Sequence, residues 1–172
     1  MKNFLRLSAA ALLVSVASIS EVSAQATATA TASATIVTPI AISKTADMNF
    51  GNVAVHAVNN GTVAMTAAGV RSATGGVTLP ATIGTVSAAS FTVSGQGNYT
   101  YAITLPSAAL IISSGANTMD VHTFTSSPSS TGTLSAGGTD ILTVGATLDV
   151  DGGQAAGLYT SATPFSVTVN YN

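Results

Sequence analysis

The chain has no cysteine and no tryptophan. Without cysteine there is no disulfide framework, no thiol nucleophile and no Cys-based metal site. Without tryptophan there is no Trp platform of the kind that stacks on sugars. Charge is equally scarce: charged residues make up 6% of the chain, against about 25% in an ordinary soluble domain. Two of the four basic residues, Lys2 and Arg6, sit at the extreme start, which leaves Lys44 and Arg71 for everything after it. Two separated cations make no basic patch, so nucleic acid is not an expected partner. After the first two dozen residues no apolar run approaches membrane-spanning length.

The start of the chain has the layout of an export signal. Lys2 and Arg6 precede an apolar, Ser/Ala-rich run from Leu5 to Ile19, and Val22-Ser23-Ala24 fits a small-residue cleavage site. Cleavage before Gln25 is expected, giving a secreted chain that passes through the periplasm. The predicted organisation is a signal over 1–24, an extended arm over 25–37 and one domain over 38–172, long enough to bury a core of its own.

Thr, Ser, Asn and Gly replace the missing charge. Thr suits the wet face of a sheet, and the chain alternates accordingly. In Gln25–Val37, Ala28, Ala30, Ala32 and Ala34 share one face and hydroxyl residues the other, and the stretch ends in Ile36 and Val37. Thirteen extended residues reach roughly 43 Å, beyond a usual strand of about 17–20 Å. A flexible low-complexity terminus is the plain alternative. At the other end, Phe165, Val167, Val169 and Tyr171 alternate with Ser166, Thr168 and Asn170, which predicts a half-buried strand. That strand is expected either to close a sheet built earlier or to await a partner.

Between these ends, short alternating runs recur with Gly, Pro and Asn turns. Strands are predicted at Ile40–Ile42, Thr62–Thr66, Leu110–Ile112, Thr118–Thr125 and Thr139–Val150. Met119, Val121 and Thr123 are assigned to one face of the fourth. Leu142, Val144, Ala146, Leu148 and Val150 are assigned to one face of the last. Ala88–Ser94 and Tyr99–Leu105, joined by Gly95-Gln96-Gly97-Asn98, read as a hairpin. No stretch after the signal has a helical period. The expected fold is all-β, an immunoglobulin-like antiparallel β-sandwich, with a β-barrel as the alternative.

Chemistry is thinly provided. His56 and His122 are the only near-neutral bases, and neither adjoins a nucleophile motif. Asp149-Val150-Asp151-Gly152-Gly153 lacks the later carboxylates of a calcium loop and reads as a turn. The expectation is a non-enzymatic protein with no catalytic residue, cofactor or metal.

Three features in order carry a resemblance: the Thr/Ala-rich start running into Pro39, the Met48-Asn49-Phe50-Gly51 stretch, and the ending from Gly157-Leu158-Tyr159 to Val167-Thr168-Val169-Asn170-Tyr171. Together they resemble an exported bacterial β-sandwich family of unknown function, similar in turn to pilus and fimbrial subunits of the chaperone–usher and common-pilus types and to spore-coat-like secreted domains. Tyr171 is penultimate and Gly157 lies upstream, as in chaperone–usher pilins. The resemblance implies a structural subunit of a surface filament that forms a homo-polymer by strand donation. A periplasmic chaperone would pair with the terminal strand, and an outer-membrane platform would assemble the polymer. The implied interaction residues are Ala28, Ala30, Ala32, Ala34, Ile36 and Val37 on the arm. On the terminal segment they are Gly157, Tyr159, Phe165, Val167, Val169 and Tyr171. The arm departs from the pilin pattern in offering Ala where large apolar anchors are usual. The alternative is a monomeric adhesin or binding module whose arm completes its own sheet.

Overall fold

A computed structural model describes residues 24–172. The signal expected over 1–24 lies outside the described residues except for Ala24. Residues up to Thr35 and Ile36–Asn172 form two separate units. In the first, Gln25–Thr35 is exposed throughout and contains no strand.

The second unit is built from twelve strands, and no helix occurs among the described residues. They are β1 Ala41–Ala46, β2 Ala54–Val55, β3 Gly61–Met65, β4 Arg71–Gly75, β5 Val77–Thr78 and β6 Ala89–Ser94, followed by β7 Thr100–Thr104, β8 Leu110–Ser114, β9 Asn117–Ser127, β10 Thr131–Thr133, β11 Thr139–Val150 and β12 Thr168–Tyr171. Every pairing is antiparallel. The expected all-β sandwich class is therefore present.

β11 is the spine. It is the one long run of apolar residues at strict period two, and Leu142, Val144, Ala146, Leu148 and Val150 are all buried, as their alternation predicts. Along one edge β11 pairs first with β6 and then with β3; along the other it pairs with β9. Strands β1, β4 and β8 extend this seven-stranded sheet outward. A three-stranded sheet, β10-β7-β12, faces it, and β2-β5 form a short third ribbon. Val93, Tyr101, Leu134, Leu142 and Val144 are fully buried between the two larger sheets.

Two expectations fail. β6 and β7 are not a hairpin. Gly95–Asn98 carries the chain from one sheet to the other: β6 pairs with β1 and β11, and β7 with β10 and β12. The corner is held from outside the turn, by Gly95 N–H donating to Gly138 O (2.9 Å) and Asn98 N–H to Leu134 O (3.2 Å). Alternation fixes which side chains face inward. It does not fix whether two neighbouring strands meet edge to edge or face to face, and here Val93 and Tyr101 meet across the core.

The second failure is Thr123. It is exposed rather than inward, because it adopts a positive φ of 50° and bulges β9. The β9–β11 register shifts there, from Gly145↔Thr125 to Thr147↔His122. The bulge changes the parity of the strand, so Phe124 takes the inward position. It packs on Phe165, with ring centroids 5.1 Å apart.

Candidate functional site

The second sheet covers only part of the first. Over the half of the large sheet formed by β3, β8, β9 and the end of β11, the core is Val63, Val77, Val121, Ala146, Leu148 and Val150. No strand of the β10-β7-β12 sheet lies among the residues that cap it. What stands above it is residues 48–55 and the β2-β5 ribbon, with Val53, Val55 and Leu79 packed on it, and they border a cleft of about 1020 Å³. Its apolar floor includes Ile112, Met119, Val121 and Leu148. One wall is residues 47–55 with Met48 and Phe50; the other is residues 154–161, with Phe165 beyond.

The first wall is held by backbone bonds from Asn49 to Ser87 and from Asn52 to Ile83, and by one cation. Arg71, at the start of β4, donates from Nη1 to the carbonyl of Phe50 and to that of Asn52 (3.0 Å). Gly51 between them has φ 67°, a conformation suited to glycine, and a Cβ there would lie 2.6 Å from the Val86 side chain. Asn49 closes the turn by accepting from Gly51 N–H at 2.8 Å. Met48-Asn49-Phe50-Gly51 is thus a fixed turn that aims Met48 and Phe50 at the apolar interior, against the same core residues that floor the cleft.

The second wall is held lightly. Gln154 Nε2 donates to Thr118 O (3.1 Å) and to the Tyr159 hydroxyl (2.9 Å), and Tyr159 donates to Ala155 O (2.8 Å). Gly157 passes close to β8, and Leu158 is 80% exposed.

Four of the six terminal-segment residues are brought together, while Gly157 and Tyr159 lie in the second wall. Phe165, Val167, Val169 and Tyr171 all join the core between the two sheets, and β12 pairs with β7 from Thr168↔Thr104 to Tyr171↔Tyr101. The regular strand is shorter than the alternation, starting at Thr168, but the inward faces are those expected. Tyr171 ties three segments: its hydroxyl donates to Thr38 O (2.8 Å) and accepts from Gln96 N–H (2.5 Å). The arm residues are divided. Ala28, Ala30, Ala32 and Ala34 are exposed, and Ile36 is 96% exposed. Val37 is half-buried next to the tethered Thr38. Sequence reasoning missed Arg71 and Phe124. An Arg with no other Lys or Arg nearer than Lys44 was the available signal for the first; nothing in the alternation signals a bulge.

The histidines serve local geometry. His56 Nδ1 accepts from Val58 N–H (3.2 Å) and Asn59 N–H (3.3 Å), capping a turn. His122 Nδ1 lies 2.7 Å from Thr123 Oγ1, and its Nε2 lies 3.0 Å from Asp149 Oδ1. The order hydroxyl, imidazole, carboxylate is that of a nucleophile triad, but none of the three lines the cleft. Among the described residues no group of three His, Asp or Glu side chains is placed to hold a metal. Asp151 accepts from Asn60 Nδ2 (2.9 Å) and Gly152 N–H donates to Asn60 Oδ1 (2.8 Å), so that acidic stretch is a clasp between two turns.

No curated protein and no solved structure matches the chain. One family model does, over residues 40–171, from the start of β1 through β12. It takes in both walls and the floor of the cleft and leaves out the arm. The chain belongs to this family, described as a domain of unknown function (DUF4402).

Proposed function

We propose that the protein is a non-enzymatic structural subunit of a bacterial surface filament, polymerising by donation of the arm Gln25–Thr35 of one copy into the cleft of the next. The observation that carries this reading is the cleft. An apolar sheet face that the β10-β7-β12 sheet covers over only part of its width, beside an open cleft, offers a place for one more strand. The arm matches that place in kind. It is exposed, alternates at period two and carries no charge that would need desolvation. About ten backbone hydrogen bonds at roughly 0.5–1.5 kcal/mol each would hold subunits firmly although the Ala side chains bury little. The anchor at Thr38 marks where the arm leaves its own domain. Export, an assembly chaperone and an outer-membrane platform belong to the same reading.

The test is deletion of residues 25–35, which spares Val37 and Thr38. Mature protein taken from the cell surface is run on a denaturing gel with and without heating, and imaged by electron microscopy. The full chain is expected to give a ladder that collapses on heating, with fibres visible. The deleted chain is expected to fold and give monomer alone. A full chain that is monomeric and a defined ligand bound in the cleft would favour the adhesin reading instead.

A further inference from the structure

Strand donation names a donor, but the sandwich offers several free edges. Strands β1, β4, β10 and β12 each have one side without a backbone partner among the described residues. The outer edge of β8 is different. It carries a single rung, in which Ser113 N–H donates to Thr160 O (2.9 Å) and Thr160 N–H to Ser113 O (3.0 Å). Thr160 belongs to the lightly held wall, residues 154–164. Apart from that rung, the only bond between backbone groups that this segment makes among the described residues is Gln154 N–H to Asp151 O (3.2 Å).

A segment that borders an apolar cleft, pairs once with a free edge and leaves the rest of its backbone unpaired is easily displaced. One rung contributes about 1–3 kcal/mol net, while an added strand forms several. We infer that the outer edge of β8 is where the donor arm pairs, and that Thr160–Thr163 hold this edge until an arm from a second copy displaces them. The inference rests on the strand-donation reading.

Three observations name the arm as the occupant. Directly after Thr160 the wall reads Ser161-Ala162-Thr163, and the arm reads Ser33-Ala34-Thr35, so both offer the same small tripeptide. Gly157 passes close to this edge, where a Cβ would lie 2.6 Å from Ser114 Oγ, and from Ala26 to Thr35 the arm likewise has nothing larger than Thr. Neither the arm nor residues 154–164 carries a charge, so the exchange breaks no ion pair.

The experiment locks the rung. Residues that exchange both backbone bonds in an antiparallel pair have Cα atoms about 5.5 Å apart, inside the roughly 4.4–6.8 Å span of a disulfide. In Ser113→Cys/Thr160→Cys the two introduced thiols have no competitors, because the chain has no cysteine. The oxidised protein is expected to lose the ladder at least 10-fold, and reductant is expected to restore it. An oxidised protein, its bridge verified by mass, that ladders like the unsubstituted chain would overturn the β8 assignment and leave strand donation intact. If the unsubstituted chain does not ladder either, strand donation itself fails. Hydrogen exchange on the unsubstituted polymer gives a second reading that needs no variant to fold. The Thr160 amide should lose protection while the Ser113 amide keeps it; protection unchanged at both would also overturn the assignment.

Discussion

Tyr101 shows how much one residue carries in a chain with so little charge. It is fully buried between the two sheets, and its hydroxyl donates to Asp140 Oδ2 at 2.8 Å. Burial, then the hydrogen bond and charge of Asp140, push the phenol well above its ordinary value of about 10. The folded state therefore holds this proton more tightly than the unfolded state. Its contribution is complete below about pH 10 and is lost as pH rises from there towards the folded value. Urea midpoints measured from pH 8 to 11 should fall above about pH 10, and Tyr101→Phe should flatten that fall while lowering stability at pH 8 by about 1 kcal/mol. Gly132 belongs to the same arrangement, since a Cβ there would run into the Tyr101 ring. The inward face of Tyr101 is legible in its alternation with Ile103 and Leu105, which join the same core, although Tyr99 at the start of the run is exposed. Its bond to Asp140 was not, because the two meet across sheets and 39 residues apart.

At the scale of the element, β9 shows where a period breaks. Its first half alternates with Met119 and Val121 inward, and its second half is displaced by one residue at Thr123. A β-branched residue at positive φ costs about 1–3 kcal/mol, which the surrounding pairing must outweigh. Glycine adopts that φ freely but weakens ordinary extended strand. Thr123→Gly is therefore expected to be neutral or stabilising by up to about 1 kcal/mol, while Thr125→Gly two residues on should destabilise by about 0.5–1 kcal/mol. Equal losses at both sites in thermal or urea unfolding would argue against the bulge. β6 and β7 teach the companion lesson. Each was legible as a strand, and the turn between them was legible as a turn. Their pairing was not, because Gly95 and Asn98 find their backbone partners in residues 134–138.

For the whole molecule, scarcity of charge has a consequence for assembly. Lys44–Asp47 is an exposed ion pair close in sequence, and His122–Asp149 lies within one sheet. The proposed joint between an uncharged arm and the cleft pairs no charges across copies for salt to screen, since the Lys44–Asp47 pair that lines the cleft lies within one copy. The unheated ladder should accordingly persist from low salt to about 1 M sodium chloride, where screening is nearly complete. A ladder that dissolves in salt would point to a charged joint elsewhere on the surface.

The sequence by itself determined the class of the fold and the inward faces of β11, β12 and the first half of β9. These follow from local rules: period two, β-branched composition and the preferences of turn residues, each readable within a few positions. Tertiary structure decided what those rules leave open. It placed β6 and β7 in different sheets, changed the inward face of β9 at Thr123, and set Arg71 against the carbonyls of the Met48–Gly51 wall. It also left half of the large sheet outside the cover of the β10-β7-β12 sheet, under residues 48–55 and the β2-β5 ribbon. The cleft is absent from the sequence because it is a mismatch between the widths of two sheets, and width depends on which strands pair across long chain separations.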